Sequence, residues 1–180
     1  MTGLWVLATT AAMDKAARTV TVERQKLGSD DNTVMQNSSS RWGIKGSEDI
    51  GGGLKAGFQI ESGFNPANGT TGSAFWGRQS EVNLSSNYGM LRLGNFTSEA
   101  YFATADYVSM HNHDTGTSAD ALYTYLGRDT NKVSYRSPTF SGATVEVGTT
   151  VSGTGQDDTL DLALNYDRGA LHVGAGYQKE

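Results

Sequence analysis

Leu54-Lys55-Ala56-Gly57-Phe58-Gln59-Ile60-Glu61-Ser62-Gly63-Phe64 alternates between apolar and polar side chains. Leu54, Ala56, Phe58, Ile60 and Phe64 fall on one face of a strand, and Lys55, Gln59 and Glu61 on the other. Successive side chains of a strand point to opposite faces, so one face is apolar and the other wet. The stretch is also as long as a tilted strand crossing a bilayer, which takes about 9–11 residues. One such segment specifies an amphipathic strand; a series of them is the pattern of a transmembrane barrel with lipid outside and water inside.

The series continues. Val133 and Tyr135 alternate with Lys132, Ser134 and Arg136, and Ala143, Val145 and Val147 with Thr144, Glu146 and Gly148. Leu160, Leu162, Leu164 and Tyr166 alternate with Asp161, Ala163 and Asn165; Leu171, Val173, Ala175 and Tyr177 alternate with His172, Gly174, Gly176 and Gln178. Periodicity alone leaves two readings open: a barrel in lipid, or a soluble antiparallel sheet with one solvated face.

Composition narrows the classes. A chain of 180 residues suits one domain, 1–180, and 23 Gly against 2 Pro favour strands and turns. Mean hydropathy of -0.44 and the absence of a run of about 20 apolar residues exclude a helical membrane protein. Alternation hides a barrel from that measure. With 0 Cys there is neither disulfide nor thiol chemistry, and a net charge of -5 argues against a nucleic-acid partner. Gly3–Ala12 lacks the basic segment that precedes a signal peptide's apolar region, so Leu4–Ala12 reads as a degraded first strand or an irregular start in preference to a leader.

Strand-like segments fall near 18–25, 33–46, 52–64, 75–85, 88–96, 130–138, 142–151, 158–167 and 170–178. Turn chemistry marks Glu48–Gly52, Ser86–Gly89, Thr139–Gly142 and Asp167–Gly169, with longer polar connections at Asn65–Ala74 and Ser152–Asp158. Short turns on one rim and long loops on the other are what an outer-membrane barrel shows. The connection 97–130 is too long for an ordinary loop. Glu99–Tyr107 and Ser118–Tyr125 within it have helical character, so the loop is expected to fold into the space a wide barrel encloses. Its aromatics Tyr101, Phe102, Tyr107, Tyr123 and Tyr125 are expected to pack it onto the wall.

Ser39-Ser40-Arg41-Trp42-Gly43-Ile44-Lys45-Gly46-Ser47-Glu48-Asp49-Ile50-Gly51-Gly52-Gly53-Leu54-Lys55-Ala56 resembles a Gram-negative general porin, of the trimeric type of beta-proteobacteria. The resemblance continues through Phe58–Phe64, Trp76-Gly77-Arg78-Gln79, Leu84–Gly89 and Asn131–Gly142, and runs to Tyr177. It implies an all-β fold, an antiparallel transmembrane β-barrel of the 16-stranded porin type. This chain would supply an incomplete half-barrel of about 8–9 strands. It further implies a homotrimer in the outer membrane, a third loop (97–130) that folds inward as the constriction, and passage of small hydrophilic solutes and anions. Such porins are much longer and end in an aromatic residue. The chain therefore reads as the N-terminal half, truncated at its C-terminus, with no signal peptide and an unrecognisable first strand.

A porin does no chemistry and needs no cofactor; it filters by width and by the field at its narrowest point. The positions matching the family's basic wall cluster are Arg41, Arg78 and Arg136, with Lys132 on the same face as Arg136 and Glu61 matching an acidic wall position. Arginine suits the task because its charge is permanent and its rigid fork is easily held. The competing reading makes them ordinary solvated charges on a wet sheet face. Alternation from Ser80, Val82 and Leu84 puts Arg78 with the apolar set and leaves Gln79, Glu81 and Asn83 outward, at a subunit interface unless a bulge shifts the register. Asn95 stands where the family often has another arginine, which would weaken the basic cluster by one charge.

On the loop the candidate acids are Glu99, Asp106, Asp114 and Asp120, with Asp106 and Asp120 favoured because each sits in a potentially ordered segment. His111, His113 and Asp114 lack a further defined ligand and read as polar surface, not as a metal site. Trp42, Phe58, Phe64 and Tyr177 are candidates for aromatic girdles. The alternative to a pore is a soluble up-and-down β-barrel that binds a small ligand. A hydrolase built on Glu61 lacks a second carboxylate at a defined spacing and is remote.

Overall fold

The computed structural model describes residues 20–27, 30–37, 40–108, 128–151 and 158–179. Strands β1 (Val20–Leu27) and β2 (Asp30–Asn37) pair as a two-stranded sheet. Then follow β3 (Arg41–Gly51), β4 (Leu54–Gly63), β5 (Gln79–Ser86), β6 (Gly89–Thr97), helix α1 (Glu99–Val108), β7 (Arg128–Arg136), β8 (Ala143–Thr150), β9 (Leu160–Arg168) and β10 (Leu171–Lys179). These eight strands form one antiparallel sheet in which sequence neighbours are spatial neighbours, from β3 at one edge to β10 at the other.

Most expected segments differ from these only at their ends; two segments and one turn differ by more. The stretch 33–46 divides between β2 and β3, which lie in separate sheets. The segment expected from 75 begins only at Gln79, because Trp76–Arg78 belong to the preceding connection. The turn expected over Glu48–Gly52 is tighter, since β3 runs on to Gly51 and the hairpin closes on Gly52 and Gly53. Gly51, Gly52 and Gly53 have φ of 89°, 64° and 79°, a run of left-handed backbone that only glycine adopts without strain.

Register across the sheet sorts the side chains. Leu162 lies opposite both Val147 on β8 and Tyr177 on β10, while Val82 on β5 lies opposite both Phe58 and Leu93. Partners in an antiparallel pair share a face, so these residues form one continuous apolar outer surface. Val82 is 55% exposed, and Leu84, Leu91, Leu93, Val145, Leu160, Leu164 and Val173 are exposed with it. The inner face is the reverse: Glu81, Arg92, Lys132, Ser134, Glu146 and Asp161 are all buried. A soluble barrel buries its apolar face, so this inverted burial sets the soluble binding-barrel alternative aside.

An outer face of this extent needs an apolar surrounding. Leu162→Arg should therefore cost about 2–4 kcal/mol if the residue lies near the bilayer midplane. Urea unfolding from lipid vesicles measures it; a cost within about 0.5 kcal/mol of zero, the range of ordinary surface changes, would mean that this face meets water.

Helix α1 is the other feature that shapes the inner face. The backbone N–H of Ala100 donates to the Ser98 hydroxyl at 3.1 Å, a side-chain cap on the first turn. Ala100 and Ala103 pack on Ala163 of β9, and the helix also lies against β10. A Cβ on Gly176 would stand 2.6 Å from the carbonyl oxygen of Ala100, and one on Gly174 would overlap the carbonyl oxygen of Ala103. The helix therefore rests on bare β10 backbone. Among the described residues the buried apolar set is Phe96, Ala100, Ala103 and Ala163, so charges and hydroxyls make up the rest of the buried interior.

Candidate functional site

The charged residues of the inner face gather into three groups. In the first, Glu61 on β4 holds Arg78 (Nε to Oε1, 2.6 Å) and lies 3.8 Å from Arg41 Nε on β3. Arg78 precedes β5 and so escapes that strand's alternation; its stem crosses Gly63, where a Cβ would sit 3.2 Å from Arg78 Cδ. The apolar-face expectation for Arg78 is thereby corrected, and with it the outward placement of Gln79, Glu81 and Asn83. Glu81 is buried, and the three amides beside it form a ladder. Gln59 donates to Gln79 at 3.0 Å, Gln79 to Glu81 at 2.9 Å and Asn83 to Glu81 at 3.2 Å. A polar hollow of about 280 Å³ opens beside this group, lined by Ser40, Asn65, Thr70, Thr71 and Arg78 among others.

The second group is centred on Arg92 of β6. Its Nε and Nη2 donate to the two oxygens of Glu81 at 3.0 and 2.8 Å, and its Nη1 donates to Glu146 of β8 at 3.0 and 3.3 Å. The same Nη1 lies 3.5 Å from Glu99 on α1. Arg136 of β7 shares two of these carboxylates, donating from Nε to Glu146 at 2.7 Å and pairing through Nη2 with Glu99. The Arg92 guanidinium also stacks over the Phe96 ring, 4.2 Å from its centroid.

Lys132 forms the third group with Asp129 (2.8 Å) and Asp161. Asp129 joins it through a bulge: the β6–β7 register shifts between Gly94 and Phe96, and Asn131 takes a left-handed φ of 53°. The extra residue brings an odd-numbered side chain onto the face of Lys132, Ser134 and Arg136. At 1% exposure Lys132 is enclosed, and its charge is neutralised within the wall.

The structure thus brings Arg41, Arg78 and Glu61 together, sets Arg136 beside α1 and shuts Lys132 away. Asp106 lies on the last turn of α1, but its side chain is outside the described residues, as are Asp114, Asp120, His111, His113 and the expected helix 118–125. Asn95 faces outward opposite Ser80 and donates to the Gly77 carbonyl at 3.1 Å, so it is no vacancy in the basic cluster. Arg92 is the residue that the sequence reading missed. Leu91 and Leu93 on either side of it carried the signal, for they are outward and leave Arg92 inward.

Exposure ranks these charges. Arg136 is open (side chain 31% exposed), whereas its partner Glu146 is only 4% exposed. Glu99 is intermediate. Burial pushes its carboxyl above the ordinary 4.5, against the opposing pull of Arg136 and with Glu146 adding to the rise.

A model of a family described as Gram-negative porin matches residues 6–180. An outer membrane porin of Bordetella pertussis is 32% identical over 79% of this chain, and porin protein 32 of Delftia acidovorans is 30% identical over 79%. The chain spans less than half of these relatives' length, 42% and 45%. Among solved structures, the anion-selective porin from Comamonas acidovorans superposes with a TM-score of 0.60 over 82% of this chain and 49% of that one, at 26% identity. OmpF of Salmonella typhi has a TM-score of 0.62 over 87% of this chain and 50% of that one. At 16% identity it speaks to the fold alone. The sheet is accordingly part of a porin β-barrel, and the chain belongs to the Gram-negative porin family.

Proposed function

We propose that this chain lines a passive, anion-leaning diffusion channel for small hydrophilic solutes in the outer membrane, working as a homotrimer and carrying out no catalysis. The observation that carries the reading is the inner wall, where Arg136 is the most open member of its network and the acids paired with it lie deeper. A permeating ion meets the guanidinium first. The solved relative named as anion-selective supports the sign. Segment 97–130 is the constriction in this reading, and the seating of α1 on the polar face supports it. Arg41 and Arg78 contribute a second basic patch, only partly offset by their shared Glu61.

Planar-bilayer reversal potentials under a salt gradient test the reading, with anions expected to cross more readily than cations; cation preference at neutral pH would sink it. The same experiment has a pH arm. The raised Glu99 carboxyl gains its proton as pH falls from neutrality towards 4.5, before ordinary glutamates do. Protonation removes one negative charge from between Arg92 and Arg136, so anion preference should rise as pH falls through that window. Glu99→Gln should flatten the step.

A further inference from the structure

We propose that Arg92 is the positioning residue of the constriction: through Glu146 and Glu99 it sets where Arg136 points and where α1 begins. The inference deepens the channel reading and rests on it. Arg92 is only 8% exposed, so it is not itself a working charge of the lumen. Its position in the network gives it another task. Glu146 and Glu99 are the two carboxylates that orient Arg136, and Arg92 holds both.

The geometry needs a fork. Arg92 meets Glu81 on one neighbouring strand through two parallel bonds while its Nη1 reaches Glu146 two strands away in the other direction. Ser134 is its register partner on the intervening β7, and Gly148 lies opposite Ser134 on β8. Those two small residues leave room for the long side chain to cross. The Phe96 ring supports the guanidinium from another side. An ammonium donates from a single nitrogen, so it cannot make the two parallel bonds to Glu81 and also reach Glu146 from a separate nitrogen.

The network also ties the helix to the sheet. Glu99 is the first residue of α1, and its carboxylate pairs with Arg92 of β6 and Arg136 of β7. Two guanidiniums face three carboxylates, Glu81, Glu99 and Glu146. Loosening Arg92 leaves those acids to compete for Arg136 and draws it back from the lumen.

Arg92→Lys is the decisive variant because it keeps the net charge and removes the fork. In channels built with this chain, two readouts are taken: hydrogen exchange of the α1 amides (99–108) and the reversal potential. We expect α1 exchange to rise about tenfold with β6 and β7 protection unchanged, and the anion-to-cation permeability ratio to fall about twofold or more by the loss of a fixed electrostatic arrangement. Wild-type exchange together with a wild-type reversal potential would overturn the proposal, as a charge-only role for Arg92 predicts that pair of results. Glu99→Gln cuts the same tie from the helix side and serves if Arg92→Lys does not fold. Unchanged α1 exchange in that variant likewise overturns the proposal. A wild-type protein that carries no current defeats the channel reading, and the exchange measurement still decides the role of Arg92.

Discussion

Gly176→Val should lift α1 from the wall and raise single-channel conductance. The helix lies on β10 at a point where even a single Cβ would stand 2.6 Å from the Ala100 carbonyl oxygen, 2.9 Å from its Cβ and 3.0 Å from its carbonyl carbon. Those are backbone and first side-chain atoms that no rotamer change can move. Valine adds two methyl groups beyond the Cβ, so the helix must shift as a body. It cannot shift freely, because Glu99 is tied to Arg92 and Arg136 and Ser98 caps the first turn. Overpacking of this kind costs about 1–3 kcal/mol, which lowers the docked-to-undocked equilibrium constant by roughly 5- to 150-fold. On the proposal that segment 97–130 is the constriction, a helix that undocks widens the lumen at its narrowest level. Gly176→Ala should show the same change on a smaller scale. A folded Gly176→Val channel with wild-type conductance would mean that α1 does not narrow the pore.

Arg136→Glu should reverse ion selectivity from anions to cations. The wild-type group sets Arg92 and Arg136 against Glu81, Glu99 and Glu146, with Arg136 the most open of them. The exchange moves the local charge by two units at the position nearest the solution and gathers three carboxylates where one guanidinium held two. A unit charge at about 4 Å is worth about 1 kcal/mol in bulk water and roughly 4 kcal/mol near a protein surface, so the change exceeds thermal energy on either figure. Arg136→Gln separates the loss of the cation from the gain of an anion and should weaken selectivity without reversing it. The reversal potential reads both. An Arg136→Glu channel that remains anion-preferring would shift the selectivity assignment to Arg41 and Arg78. Glu146 loses one partner in either variant and keeps Arg92, so the barrel should survive both.

How far the sequence reached is clearest in β9 and β7. Leu160, Leu162 and Leu164 lie outward and Asp161 and Ala163 inward, as alternation alone requires, because the side-chain period of a strand admits no other arrangement. In β7 the same rule places Lys132, Ser134 and Arg136 inward, but it fails three residues before Lys132. The bulge at Asn131 turns Asp129 inward, and a bulge depends on pairing with β6, which one strand's sequence does not contain. Arg78 fails for a related reason: it stands just outside β5, where period-two logic has no hold.

Which side chains share the apolar face and which the polar one was therefore determined by the sequence, through a local periodicity that needs no partner. Which charges meet on the wet face was decided only by the tertiary structure. Glu81, Arg92, Glu99, Arg136 and Glu146 come from four strands and a helix, and the register of the sheet sets their distances. The seat of α1 is the same kind of fact. Gly174 and Gly176 lie some seventy residues beyond the helix they accommodate, and their lack of side chains acquires meaning only when antiparallel pairing carries β10 beneath it.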